Sequence, residues 1–276
     1  MKLRISMYVL TAAAAMVAWM VGLPRTAICQ HERYMGEAYF ESTMDKYQME
    51  NYEAAVEGFK RFINFAPNDF NGHYLLAHCY RFLGDKGSAI EYYEKALEIK
   101  PNDYDAHVYV GVLYTETGDY ESALGHLNRA LEIIPDDPDA IVHIGNVYFA
   151  QKNSDRAIGQ YKKALESDPG HVGAHLGLGI ALRERGDVKG ALELLEKARR
   201  IDPERYDVSL ETGVTYMQLG EPGRAIPCFE KASELKPDLT ESYEWLGKAY
   251  EKKGDAQRAK EYLKKAGAID SAREMK

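Results

Sequence analysis

From about residue 36 onward, apolar side chains recur at three- and four-residue spacing, as in Ile90, Tyr93 and Leu97, or Leu124, Leu127 and Leu131. That spacing puts them on one face of a helix, so the pattern predicts a succession of amphipathic helices. The pattern itself repeats. Six prolines, Pro67, Pro101, Pro135, Pro169, Pro203 and Pro237, stand thirty-four residues apart, and a fixed period of that length marks stacked supersecondary units. Counting back from each proline gives repeats at 36–69, 70–103, 104–137, 138–171, 172–205, 206–239 and 240–273, with 30–35 as a short linker and 274–276 as a tail.

Other positions keep the same period. Twelve residues before each proline stand Ala55, Ala89, Ala123, Ala157, Ala191 and Ala225, continued by Ala259, and five before all but the first, where Phe62 stands, come Ala96, Ala130, Ala164, Ala198 and Ala232, continued by Ala266. Small residues at fixed points let two helices approach closely, while tyrosines and leucines fill the gaps. A mid-repeat glycine (Gly84, Gly118, Gly186, Gly220, Gly254) is placed to end the first helix through a positive φ; Lys152 followed by Asn153 replaces it in the fourth repeat. The aspartates that follow, Asp85, Asp119, Asp187 and Asp255, fall near the N-terminus of the second helix, which favours a capping carboxylate. The proline stops that helix and starts the next turn.

These residues resemble the tetratricopeptide repeat, and segments such as GDYESALGHLNRALEIIPDD match its pattern nearly throughout 36–273. The resemblance implies an all-α fold, a right-handed α-solenoid of about seven helix-turn-helix repeats. It also implies a non-catalytic scaffold that binds a protein or peptide partner, with the first helix of each repeat lining a concave groove. On that register the groove residues are Tyr74, His78, Arg81, Phe82, Val108, Val112, Val142, Asn146, Phe149, Leu176, Ile180, Arg183, Leu210, Val214 and Met217. The inner wall they form is mostly apolar, edged by Asp105, Asp139 and Asp207, which suits an extended peptide or amphipathic helix. Arg81 and Arg183 are candidate anchors. The family's lysine-and-asparagine grip on a carboxylate tail is not expected, because the fifth-residue row (Phe40, Tyr74, Val108, Val142, Leu176, Leu210, Glu244) contains no lysine. Changing Val142 and Leu176 to Glu is expected to abolish capture and spare the fold.

Charge narrows the partners. The net charge is −8, so the basic footprint of a phosphate-backbone binder is absent and nucleic acid is not expected. Near the N-terminus, Lys2 and Arg4 precede an uncharged run, Ile5 to Leu23, which as a helix would reach roughly 28 Å. Residues 1–29 read as a signal peptide or as a retained membrane anchor. The expected location is therefore exported, periplasmic or membrane-anchored, with the cytoplasm-facing orientation left open and membrane contact confined to this segment. Such a scaffold would assemble an envelope complex; a self-associating structural tether is the alternative.

Three cysteines make no disulfide framework, and Cys79 and Cys228, four repeats apart, are expected as free core thiols. His73, His107 and His175 share the fourth position of their repeats, where packing is expected in place of metal binding. No CxxC, HExxH, Gly-rich phosphate loop or nucleophile elbow is present, so no catalytic residue, metal or cofactor is expected, and an enzyme or metal carrier is the least favoured reading.

Overall fold

The structure, a computed structural model, describes residues 25–274. Among these residues every regular element is a helix, and there are fourteen. They divide between two compact blocks that meet at Leu113 and Tyr114.

The N-terminal block holds α1 (Arg25–Gln48), α2 (Tyr52–Phe65), α3 (Phe70–Phe82) and α4 (Lys86–Ile99), followed by most of α5 (Tyr104–Thr117). Within it α1 packs on α2, α2 on α3, and α3 on α4. The C-terminal block holds α6 (Tyr120–Ile133), α7 (Pro138–Ala150), α8 (Ser154–Ser167), α9 (Val172–Glu184), α10 (Val188–Ile201), α11 (Tyr206–Gln218), α12 (Pro222–Leu235), α13 (Thr240–Lys252) and α14 (Ala256–Glu274). Each helix here packs on the next, and the first helices of successive repeats also touch, α7 on α9, α9 on α11 and α11 on α13. The architecture is all-α and belongs to the α-solenoid class.

Local chemistry explains where each helix begins and ends. Asp69 and Asp137 accept from the backbone N–H three residues on, at 2.8 and 2.9 Å, and so cap first helices. Asp85, Asp119, Asn153, Asp187 and Asp255 do the same for second helices at 3.0–3.2 Å. Each such cap satisfies a donor the helix cannot. Between the two helices the chain passes through the left-handed region, as at Gly118 (φ +86) and Gly186 (φ +91), where a Cβ would be strained. Lys152 takes that conformation (φ +60) in the fourth repeat without being glycine.

The alanine rows are where helices touch. All of Ala55, Ala89, Ala123, Ala157, Ala191 and Ala225, and likewise Ala96, Ala130, Ala164, Ala198 and Ala232, are fully buried. The recurrent histidines are buried too. In each, the imidazole Nε2 meets the carbonyl of the proline six residues back, His73 to Pro67 at 2.9 Å, His107 to Pro101 at 3.1 Å and His175 to Pro169 at 3.0 Å. These bonds tie the inter-repeat turn to the helix it introduces. Cys79 and Cys228 are free and buried; burial pushes their thiols up to about 12 and about 11, so both remain protonated and inert at neutral pH.

The expectation of an exported or membrane-anchored protein is corrected. Among the described residues no helix is long and apolar enough to cross a membrane. Residues 25–35, assigned from sequence to the targeting segment and linker, are instead the opening turns of α1. That helix carries Glu37, Glu41, Asp45 and Lys46, charges that a bilayer interior does not accept without partners. The run Ile5–Leu23 and the tail residues 275–276 lie outside the described residues.

Candidate functional site: the first-helix faces

In the N-terminal block, Tyr74, His78 and Phe82 follow one another at intervals of four along α3, so they share a face. That face is filled by their own rings and their neighbours'. His78 lies 5.9 Å from Tyr74, 5.2 Å from Phe82, 5.3 Å from Tyr109 and 6.1 Å from Tyr47, centroid to centroid. Tyr93 closes the cluster at 5.4 Å from Tyr74 and 5.5 Å from Tyr109. The Arg81 guanidinium sits over Phe82 and Tyr109, 4.6 and 5.1 Å from their centroids, a cation–π arrangement. It also reaches His78 Nε2 at 3.4 Å. A guanidinium can only donate, so His78 accepts there, and its Nδ1–H donates to Tyr47 Oη at 3.0 Å. Burial, with the Arg81 charge second, lowers the His78 imidazole to about 4. Val108 and Val112 are half-buried on α5.

The C-terminal block differs. Val142, Asn146 and Phe149 on α7, with Leu176 and Ile180 on α9, line one cavity of about 310 Å³. Asp139 and His143 from α7, Tyr161 from α8, His171, Gly173 and Gly177 around the start of α9, and Arg205 and Asp207 at the start of α11 complete its wall. The ring of Tyr161 makes the back of the site. It is fully enclosed between Gly145 and Gly177, where an added Cβ would stand 2.6 Å from its edge. Its phenol donates to Asn146 Oδ1 at 2.8 Å, leaving the Asn146 amide N–H groups directed elsewhere. Burial raises the Tyr161 phenol, so it stays protonated and serves as a fixed donor.

The charged groups on and beside this wall are held by defined contacts. His171 caps α9 by accepting the Ala174 N–H at Nδ1, 3.0 Å. Its proton is therefore on Nε2, which donates to Asp139 Oδ1 at 2.9 Å. Arg205 forks onto Asp207, with Nε and Nη2 at 2.9 and 3.0 Å from its two oxygens. Arg183 is engaged in the same way: Nη2 stands 2.5 Å from Glu211 Oε2, and Nη1 donates to the Glu211 carbonyl and to Thr215 Oγ1 at 3.2 and 3.1 Å. Its role as an anchor for a partner gives way to that of a tie between α9 and α11. Arg81, stacked between rings, is likewise occupied.

Three further positions belong to the interior. Leu210 and Met217 join the core around Phe229 and Leu246, and Val214 packs on that cluster. Val142 and Leu176 are only 7% and 8% exposed. They form the cavity floor, so a glutamate at either would bury an unpaired carboxylate, and the double substitution would damage fold and binding together.

Sequence periodicity had singled out five of the lining residues as groove positions and Asp139 and Asp207 as its edge, but missed His143, Tyr161, His171, Gly173, Gly177 and Arg205. Tyr161 stands on a second helix, which a first-helix register does not search. Gly177 falls outside the thirty-four-residue glycine rows, and that break in pattern was its one available signal. Among the described residues no group of three or more His, Cys, Asp or Glu could hold a metal ion.

A string of helix–turn–helix repeats defines a repeat protein of the interaction-scaffold class. Tetratricopeptide repeat models match residues 71–103, 92–125, 111–152, 144–206, 182–243 and 240–272, which run without a gap from 71 to 272. The chain belongs to the tetratricopeptide repeat family. No curated protein matches it. Among solved structures, it is similar to a tetratricopeptide repeat protein from Parabacteroides merdae, 23% identical over 85% of this chain and 93% of that one, with a TM-score of 0.68. MamA from Desulfovibrio magneticus RS-1 is 23% identical over 62% and 96% of the two chains, with a TM-score of 0.56. The APC/C hetero-tetramer Cut9–Hcn1 aligns at 17% identity and a TM-score of 0.63, over 78% of this chain and 42% of that one.

Proposed function

We propose that this protein is a non-catalytic scaffold that takes a peptide or helix of a protein partner into the first-helix cavity of the C-terminal block. The observation that carries the reading is the cavity itself. Five residues chosen by repeat register converge on it, over an apolar floor with a few polar groups at its edge, as a recognition pocket requires. Asn146 offers amide donors to a peptide carbonyl, and Phe149 and Ile180 offer half-buried apolar surface. Binding costs no bond making; it exchanges water on a preformed surface for the partner's apolar side chains.

The test is site-specific photocrosslinking. A photoreactive amino acid placed at Phe149 or Ile180 should capture partner protein in cells, whereas the same group at the outward-facing Lys162 on α8 should not. Equal yields from the three positions, or yields highest at Lys162, would overturn the assignment. Phe149 and Ile180 are preferred to Val142 and Leu176 because replacing them leaves the buried floor intact.

A further inference from the structure

Deepening the proposed function, on which it rests, we infer that the cavity is selective for a basic side chain: an arginine or lysine of the bound peptide sets its charged head between Asp139 and His143 and lays its aliphatic stem on Val142, Leu176 and Ile180.

Charge on this wall is unevenly balanced. The one guanidinium that lines it, Arg205, is matched by Asp207, and Arg183, further along α9, is matched by Glu211. Asp139 is matched only by the His171 Nε2–H. Among the described residues Asp139 meets no Lys or Arg side chain, and the His171 ring is held in place by its Nδ1 bond to the Ala174 N–H. The Asp139 side chain is 71% exposed at the mouth of the cavity and has acceptor capacity left for an incoming donor.

His143 supplies the second acceptor. It is four residues beyond Asp139 on α7, on the same face, and lines the same cavity. Burial lowers its imidazole, the neighbouring His171 pushing the same way and the aspartates opposing, so at neutral pH the ring is uncharged and can accept. It makes no hydrogen bond to the described residues. A cationic head placed here thus meets one carboxylate and one neutral nitrogen, and both Arg and Lys have long apolar stems that pack along hydrocarbon. An acidic side chain would face Asp139 and Asp207 instead.

The experiment is selection of a randomised twelve-residue peptide display library on the full chain, followed by anisotropy titration of the selected peptides. The expected result is that selected peptides carry Arg or Lys in excess. Their affinity falls about tenfold for Asp139→Asn, as for loss of a hydrogen bond to a charged group, recovers substantially in Asp139→Glu, and weakens as salt rises. Thermal melts of each variant confirm an intact fold. Peptides that lose binding with Ile180→Glu but show no basic excess, or that ignore Asp139→Asn, overturn the cation assignment and leave the groove reading standing. Selected peptides indifferent to Ile180→Glu, or a selection that enriches none, overturn both.

Discussion

At the fifth and ninth residues of the second repeat stand Tyr74 and His78; at the same places of the fourth and fifth repeats stand Val142 and Asn146, and Leu176 and Ile180. The first pair meets Tyr47, Tyr93 and Tyr109, and the rings fill the face they share. The aliphatic and amide groups of the second set are too short to do so, and about 310 Å³ between them stays open. The backbone period is the same in both blocks, so it places the side chains without deciding what they make. Side-chain volume decides whether a repeat face becomes packed interior or a receptor. Charge follows the same division: in the filled face Arg81 is consumed by stacking, whereas at the open face Asp139 meets only His171 and no Lys or Arg side chain among the described residues.

The comparison can be broken most severely at Tyr93. This ring is fully buried, and Tyr93→Ala should destabilise the N-terminal block by about 3–5 kcal/mol, in line with other large aromatic deletions. Urea unfolding of the full chain measures it; a loss under about 1 kcal/mol would mean that the face is not packed as described.

A smaller effect should appear with pH. Because the His78 value of about 4 in the folded chain lies below its ordinary 6.5, the unfolded chain binds the proton first. Stability is therefore retained above about pH 6.5 and lost progressively as pH falls toward 4. A shift of that size would correspond to about 3 kcal/mol if the ring were fully shielded. The ring is only half-buried, and solvent screening reduces this to roughly 1–2 kcal/mol. His78→Gln should flatten the acid limb relative to the parent chain in parallel melts, and two curves that stay parallel from pH 7 to 4 would contradict the assignment.

The smallest expected effect lies in the C-terminal block, at Lys152. The five mid-repeat glycines of the other repeats have φ between +76 and +91, while Lys152 holds φ +60 with a Cβ. Lys152→Gly should raise stability by about 0.5–1 kcal/mol, since relief of left-handed strain is offset by the greater freedom of glycine when unfolded. A decrease in melting temperature would show that the lysine side chain contributes more than its backbone costs.

Most of the secondary structure was legible because its causes are local. Alanine rows, mid-repeat glycines, capping aspartates and terminal prolines each act within a few residues, and their thirty-four-residue period gives every one a register. The same register reached Val142, Asn146, Phe149, Leu176 and Ile180. It did not reveal that Arg183 is taken by Glu211 and Thr215, residues twenty-eight and thirty-two positions away, nor that Tyr161 from a second helix backs the cavity. Those facts depend on which side chain of one repeat faces which of the next. The reading of residues 1–29 as a targeting segment followed the hydropathy of Ile5–Leu23 and extended it too far, since from Arg25 on the chain joins the charged helix α1.

The amino-acid sequence by itself determined the repeat, the helix pairs and the family, because a helix and its caps answer to neighbours along the chain. Only the tertiary structure decided which face is filled and which is open, which arginines are already bound, and that Asp139 stands exposed at the mouth of the open one. Those outcomes are set by side-chain volumes and charges brought together from residues about thirty positions apart, and spacing alone does not encode their fit.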